Sequence, residues 1–181
     1  MNYLASWWLT VVQVEKFPIF VYKIFIMISL NVGDKAPEFV AFDQNGEQIQ
    51  LSDFKGKKLI LYFYPKDNTP GCTSEACNFR DNYDFWIEKG YQVIGISPDS
   101  PVSHQKFIEK YDLPFPLLSD PEKKIIKAYG AWGLKKLYGR EYEGLKRSTF
   151  VIDDEGNIME IFKTVKTKTH TEQIVKKLNL E

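Results

Sequence analysis

The sequence predicts an α/β fold: a central mixed β-sheet flanked by helices, with a β-hairpin near its start. Two continuous apolar runs, residues 59–64 and 93–96, are typical of strands that are buried on both faces of a sheet. Each run is followed by a segment with apolar residues at helical spacing. A later pair of runs, residues 148–152 and 158–162, flanks a turn rich in Asp, Gly and Asn, which predicts a hairpin and makes the sheet mixed.

The elements are predicted in the order hairpin, strand, helix, strand, helix, helix, hairpin and helix. The first hairpin covers residues 39–51 and turns at Asn45 and Gly46, a pair that strongly favours a hairpin turn. The run at residues 59–64 ends at Pro65, which cannot continue a central strand. The predicted helices cover residues 72–89, 103–111, 121–129 and 169–178. This order matches a thioredoxin-like domain, although a fold alone does not assign chemistry.

Length and composition indicate one globular domain, which we place at residues 28–181. Of the 181 residues, 44% are apolar, which is ordinary for a protein with a full core. The 24 basic and 24 acidic side chains cancel, so we expect no nucleic-acid partner. The two cysteines are five positions apart and would constrain the unfolded chain little, so their role, if they have one, is chemical.

Residues 1–27 differ from the rest and are assigned as an N-terminal extension. Glu15, Lys16 and Pro18 interrupt its apolar residues, so no stretch approaches the ~20 that a spanning helix needs. A secretory signal is not indicated either. Met27 begins a stretch that is typical of a natural start, which favours upstream sequence translated from an early start over a weak surface anchor. We therefore expect no membrane association and a cytoplasmic location.

Cys72 is the strongest candidate for chemistry. It ends the segment PKDNTPGC at residues 65–72, which leads from a buried strand into a helix, where α/β sheets usually bind ligands. The unpaired N–H groups and the positive dipole end of a first helical turn favour the thiolate, which is the nucleophilic form of cysteine. The alternative is a small buried cysteine with a packing role only.

Cys77 lies on the same predicted helix. Ideal helix geometry separates its Cα atom from that of Cys72 by roughly 8.7 Å, whereas Cα atoms joined by a disulfide are normally within about 7 Å. If both cysteines react with each other, part of the helix must unwind. This argues against a Cys-x-x-Cys exchange centre; the alternative for Cys77 is a packing residue on the helix.

A metal site is disfavoured, and we expect no cofactor. The two cysteines lack the usual ligand spacing, and only His104 and His170 could supplement them. Each histidine lies in a polar helical region, where an exposed, solvated side chain is expected.

The motif Pro-x3-Thr-x2-Cys at residues 65–72 and its continuation TSEACNFR at residues 73–80 resemble the peroxiredoxins, specifically the bacterioferritin-comigratory or Q-type subfamily. Further matches are GDKAPEF at 33–39, GISPD at 95–99, YGR at 138–140 and RSTF at 147–150. The resemblance covers about residues 30–181.

This resemblance implies a thiol peroxidase. Cys72 would attack the hydroperoxide, and Cys77 would condense with the resulting sulfenic acid. The Thr69 hydroxyl, the Cys72 backbone N–H and the Arg147 guanidinium would stabilise charge on the peroxide oxygens. Pro65 would shield the thiolate, and Glu75 would orient Arg147.

The resemblance also implies partners. The substrate would be a hydroperoxide and the reductant thioredoxin or a glutaredoxin, with a monomer favoured over a dimer because intrachain cysteines need no second subunit. Two other functions stay open: a thioredoxin-like disulfide oxidoreductase or isomerase, and a non-enzymatic redox or binding module.

Overall fold

The computed structural model describes residues 29–137 and 139–180, so the predicted N-terminal extension lies outside the described residues. The strands are Val40–Phe42 (β1), Gln48–Gln50 (β2), Lys58–Phe63 (β3), Tyr91–Ser97 (β4), Leu117–Ser119 (β5), Trp132–Leu137 (β6), Arg140–Leu145 (β7), Ser148–Ile152 (β8) and Ile158–Phe162 (β9). The helices are Pro70–Asp81 (α1), Tyr83–Glu88 (α2), Pro101–Tyr111 (α3), Lys124–Ala128 (α4) and His170–Leu178 (α5), with a 3-10 turn at Leu51–Phe54.

Seven strands form one sheet in the order β2-β1-β5-β4-β3-β8-β9. β3, β4 and β5 run parallel, whereas the remaining neighbours pair antiparallel. The predicted mixed sheet and thioredoxin-like fold are thus confirmed.

β3 lies inside the sheet and has apolar side chains on both faces. Leu59, Leu61 and Phe63 belong to the core cluster that includes the buried isoleucines of α4. Ile60 and Tyr62 belong to a second cluster, formed with residues of α1, α2, α3 and α5. The sheet therefore separates two cores, and burial of both faces explains the unbroken apolar run of β3.

The predicted first hairpin is confirmed and places β2 at the sheet edge. Its turn is organised by Asp43, whose Oδ1 accepts the amides of Asn45 and Glu47, each at 2.8 Å. Gly46 has a φ of 80°, a conformation that glycine adopts without steric cost.

The single helix predicted at residues 72–89 is wrong, because the chain forms two helices there. The Asn82 side chain donates to the Asn78 carbonyl at 2.8 Å, the acceptor that the Asn82 amide would use in a continuous helix. The Asn82 amide bonds the Arg80 carbonyl instead, and α1 ends.

The sequence prediction omitted three strands. β5 has only three residues, and it completes the sheet between β1 and β4. β6 and β7 form a separate two-stranded sheet. Much of β7 is exposed, so it lacks the alternation of apolar and polar residues that marks a half-buried strand. The helix predicted at residues 121–129 is shorter, since α4 begins at Lys124, whose amide bonds the Asp120 carboxylate at 2.9 Å.

The expectation that both histidines are solvated is also wrong. His104 and His170 are fully buried. His170 bonds Thr149 Oγ1 at 2.8 Å and Gln173 Oε1 at 2.9 Å, and burial lowers the pKa of its ring to about 4. Both rings are thus satisfied by polar partners inside the core.

Among the described residues, no helix is long and apolar enough to cross a bilayer.

Candidate active site

α1 begins immediately after Thr69, which has extended backbone angles. Its hydroxyl does not cap the helix but donates to the Lys66 carbonyl at 3.0 Å. The first intrahelical bond runs from the Thr73 amide to the Thr69 carbonyl at 2.8 Å. The amides of Gly71 and Cys72 precede that bond and have no intrahelical acceptor. Within the part of the chain that the structure describes, the first turn thus presents unpaired donors beside a cysteine.

The Cys72 side chain contacts a guanidinium. The residue is only 1% exposed, and Arg147 Nη2 donates to its Sγ at 3.1 Å. Arg147 Nη1 donates to Glu75 Oε2, and the Glu75 side chain is completely buried. One planar guanidinium therefore joins the sulfur and a carboxylate, an arrangement that a lysine ammonium cannot reproduce.

Arg147 is positively charged near neutral pH. Burial lowers its pKa, but the negative charges of Glu75 and Cys72 outweigh that effect and raise the pKa overall. A fixed positive charge and the positive end of the helix dipole therefore lie next to Sγ, where both stabilise negative charge.

Strand pairing brings Arg147 to the site from 75 positions away in the sequence. β8 pairs antiparallel with β3, and Ser148 lies opposite Phe63. Arg147 immediately precedes Ser148, so it lies beside the end of β3, where the loop to Cys72 starts.

Glu75 is the buried carboxyl group that contacts Arg147. Burial raises the pKa of its carboxyl to about 7, even though the charge and hydrogen bond of Arg147 act to lower it. Among the described residues, Glu75 Oε1 and the buried Tyr62 hydroxyl have no hydrogen-bond partner. The contact with Arg147 is thus the main interaction that stabilises this buried carboxyl group.

Cys77 lies on the same helix in a different environment. It is partly buried and unbridged, and no hydrogen bond within the described part of the chain joins it to Cys72. Burial raises the pKa of the Cys77 thiol, Arg80 opposes this rise, and Asp81 adds to it. This sulfur is therefore a protonated thiol near neutral pH.

The structure brings Cys72, Glu75 and Arg147 into contact, whereas the other predicted site residues occupy the surrounding loop and helix. Pro65 is exposed at the start of the loop. Thr69 is half-buried, and because its hydroxyl proton is directed at Lys66, its oxygen is oriented as an acceptor.

Sequence reasoning missed Asp67, a carboxylate in the middle of the same loop that is only 5% exposed. Its position between a buried strand and a helix start was the available signal, but two of its side-chain partners come from the distant helix α3. In the described ranges, no group of three His, Cys, Asp or Glu side chains is placed to hold a metal ion.

Comparison with known proteins identifies the family. The AhpC/TSA family matches residues 32–161. Peroxiredoxin Bcp of Bacillus subtilis is 48% identical over 151 residues, which cover 83% of this chain and 96% of that protein. Peroxiredoxin Bcp of Escherichia coli K12 is 44% identical over 149 residues, which cover 82% of this chain and 96% of the relative.

Solved structures support the same family assignment. A cysteine-to-serine mutant of PrxQ from Xylella fastidiosa superposes with a TM-score of 0.77 at 34% identity, covering 83% of this chain and 96% of that one. A mutant of peroxiredoxin Q from Xanthomonas campestris gives a TM-score of 0.74 at 33% identity, covering 78% and 90%. The chain therefore belongs to the AhpC/TSA family, as a peroxiredoxin of the Bcp and Q type.

Proposed function

We propose that Cys72 is the peroxide-reactive sulfur of this enzyme and that Cys77 resolves the oxidised product. The protein is a thiol peroxidase, as its family membership implies. The observation that supports the assignment of Cys72 is the 3.1 Å contact between its Sγ and Arg147 Nη2, at the start of a helix. A buried cysteine with a packing role only would not need a charged donor.

In the first step, the Cys72 thiolate attacks one oxygen of a hydroperoxide. The O–O bond breaks, and the second oxygen leaves as hydroxide or alkoxide and takes up a proton to become water or an alcohol. The sulfur is oxidised by two electrons to a sulfenic acid. Arg147 and the free amides of the first turn are the donors that stabilise negative charge on the oxygens as the bond breaks.

In the second step, the Cys77 thiol condenses with the sulfenic acid. A disulfide forms, and the sulfenic oxygen leaves as water. Because ideal helix geometry keeps the two Cα atoms roughly 8.7 Å apart, α1 must unwind locally before the sulfurs can meet. The enzyme would therefore alternate between a folded reduced form and a partly unwound oxidised form.

A thiol reductant must then supply two electrons by exchange with the disulfide. Thioredoxin is the proposed reductant and a glutaredoxin the alternative; hydrogen peroxide and organic hydroperoxides are the proposed substrates. A monomer and a cytoplasmic location remain our predictions. A disulfide oxidoreductase is less well supported, since α1 holds the two cysteines apart.

A single-turnover experiment tests the two sulfur roles. We expect Cys72→Ser to consume no peroxide, whereas Cys77→Ser reduces one equivalent and then stops as a sulfenic acid. A sulfenate-trapping reagent and mass spectrometry would locate that adduct on Cys72. Peroxide consumption by Cys72→Ser, or an adduct on another residue of Cys77→Ser, would refute the assignment.

A further inference from the structure

Asp67 is held by side chains from outside its own loop. Its Oδ1 accepts the Tyr64 hydroxyl at 2.7 Å. Its Oδ2 accepts the Ser103 hydroxyl at 2.7 Å and bonds His104 Nδ1 at 2.9 Å. Ser103 and His104 lie on α3, so this carboxylate ties the loop to a helix of the rigid core.

The backbone at this position is fixed as well. The Asp67 amide donates to Asp99 Oδ2 at 2.8 Å, and the same oxygen accepts the Ser97 hydroxyl at 2.9 Å. On the far side of the ring, His104 Nε2 bonds the Leu118 carbonyl at 3.3 Å. The loop is thereby connected to β4 and β5.

Asp67 is the only anchor of its kind in the loop. Among residues 65–71, all of which the structure describes, it alone has a buried side chain. The next residue, Asn68, has a φ of 56°, in the left-handed region that few residues adopt readily. Thr69 and the helix start follow directly. The position of these groups thus depends on how Asp67 is held.

We propose that Asp67 is a positioning residue for peroxide reduction, which acts by fixing the loop that carries Thr69 and leads to the Cys72 amide. This inference rests on the proposed function. Asp67 itself bonds neither Sγ nor Arg147. Its effect should therefore fall on the reaction that needs an aligned peroxide, and not on the electrostatic activation of the sulfur.

The electrostatics of the cluster are consistent with this role. Burial raises the pKa of Asp67, but the hydrogen bond and charge of His104 and the bonds from Ser103 and Tyr64 outweigh it and lower the pKa overall. Burial raises the pKa of Tyr64, which keeps its hydroxyl a donor. The carboxylate therefore stays an acceptor for all its partners near neutral pH.

The test compares two reactions of Cys72 in the full-length protein. In Asp67→Asn, an amide N–H₂ replaces one acceptor oxygen, so the loop loses a bond and shifts. We expect the second-order rate constant with hydrogen peroxide to fall by about 10- to 100-fold, since small misplacements of reacting groups have effects of this size. The rate of alkylation by iodoacetamide should change less than about threefold, because that reaction needs no aligned peroxide.

Asp120→Asn is the matched control. Asp120 is also 5% exposed, and its carboxylate accepts the amides of Lys124 and Ile126 at 2.9 Å, in α4 rather than in the loop. This variant should lose thermal stability while both Cys72 reactions keep their rates.

Three outcomes separate the proposals. If Asp67→Asn reacts with peroxide no more slowly than Asp120→Asn, or loses both reactions equally, the positioning role is refuted. If Asp67→Asn does not fold, Ser103→Ala replaces it in the test, because this variant removes only one donor to Asp67. The positioning role then requires Ser103→Ala to slow the peroxide reaction but not alkylation. If the unmodified protein fails to reduce peroxide in the same assay, the proposed function itself is refuted.

Discussion

The two halves of α1 each carry a cysteine and are held by different interactions. At the amino end, Cys72 and Glu75 are joined through the charged guanidinium of Arg147. Such contacts depend on ionisation. In the proposed mechanism, oxidation of the Cys72 thiolate to a sulfenic acid removes the negative charge of the sulfur, and its attraction to Arg147 weakens.

The carboxyl end is held by packing and by bonds to backbone groups. Phe79 is fully buried against Tyr62, with ring centroids 5.0 Å apart. Asn78 Oδ1 accepts the Thr171 amide in the first turn of α5 at 2.7 Å, and Arg80 Nη1 donates to the Tyr111 carbonyl at 2.7 Å. None of these contacts involves either sulfur. We therefore expect oxidation to unwind α1 from its amino end, while the carboxyl end stays in place.

The largest effect is expected from Arg147→Gln, which removes the charge that holds the amino end. Loss of one preorganised donor to a developing negative charge typically costs about 100- to 1000-fold in rate, and we expect a fall of that size in the peroxide rate constant. Stopped-flow measurement of the single turnover checks it. Arg80→Gln is the control at the other end and should stay within about threefold of the unmodified protein. Equal losses in both variants would contradict the comparison.

The next effect concerns pH and Glu75. Its folded pKa, about 7, lies above the ordinary 4.5, so between these values the folded protein keeps a proton that the unfolded chain has lost. The free energy of unfolding should then fall as the pH rises through this window. Relative to Glu75→Gln, we expect the unmodified protein to lose about 3 kcal/mol between pH 4 and pH 8.

Urea unfolding at a series of pH values measures this difference. Glu88→Gln, at an exposed position of α2, serves as the control and should follow the unmodified protein. Parallel curves for the unmodified protein and Glu75→Gln would show that burial does not raise the pKa of Glu75.

The smallest effect is expected from Asn78→Ala. The N-cap residue of α5, Thr169, makes no side-chain capping bond, so Asn78 supplies the cap from another helix. Its loss should lower the free energy of unfolding by about 1 kcal/mol. Because the carboxyl end is expected to stay in place while the disulfide forms, the rate of disulfide closure should change less than twofold. Tryptophan fluorescence would follow this rate.

Ser74→Ala is the matched control, since within residues 29–137 and 139–180 the Ser74 hydroxyl bonds only the Pro70 carbonyl of its own helix. It should leave the stability of α5 unchanged. Markedly faster closure in Asn78→Ala alone would mean that the carboxyl end also unwinds during resolution.

Much of the fold could be predicted because its strongest signals are local. The apolar run of β3 and the turn between β8 and β9 each lie within a few residues. The short strand β5 and the exposed pair β6 and β7 could not be predicted, since a strand of three residues or one without a buried face lacks a periodic signal. The break at Asn82 depends on a side chain competing with its own backbone, which periodicity does not detect.

The functional site also has a part that could be predicted from the sequence and a part that could not. The loop and helix start around Cys72 form one continuous motif, so their arrangement could be predicted from the sequence. Arg147 could be assigned only through a family resemblance, because strand pairing brings it to the sulfur. The burial of His104 and His170 was mispredicted since the partners that satisfy them, Asp67 and Thr149, lie at least 21 positions away.

The pairing of β8 with β3 has a consequence for protein synthesis. Both cysteines leave the ribosome about 70 residues before Arg147 does. Until the late strand pairs, the nascent chain has the proposed nucleophile without its guanidinium, so we expect Cys72 to react with peroxide no faster than an unassisted thiol. Arrested nascent chains of increasing length, pulsed with peroxide, should become reactive only once β8 has emerged. Oxidation before folding is complete would thereby be avoided.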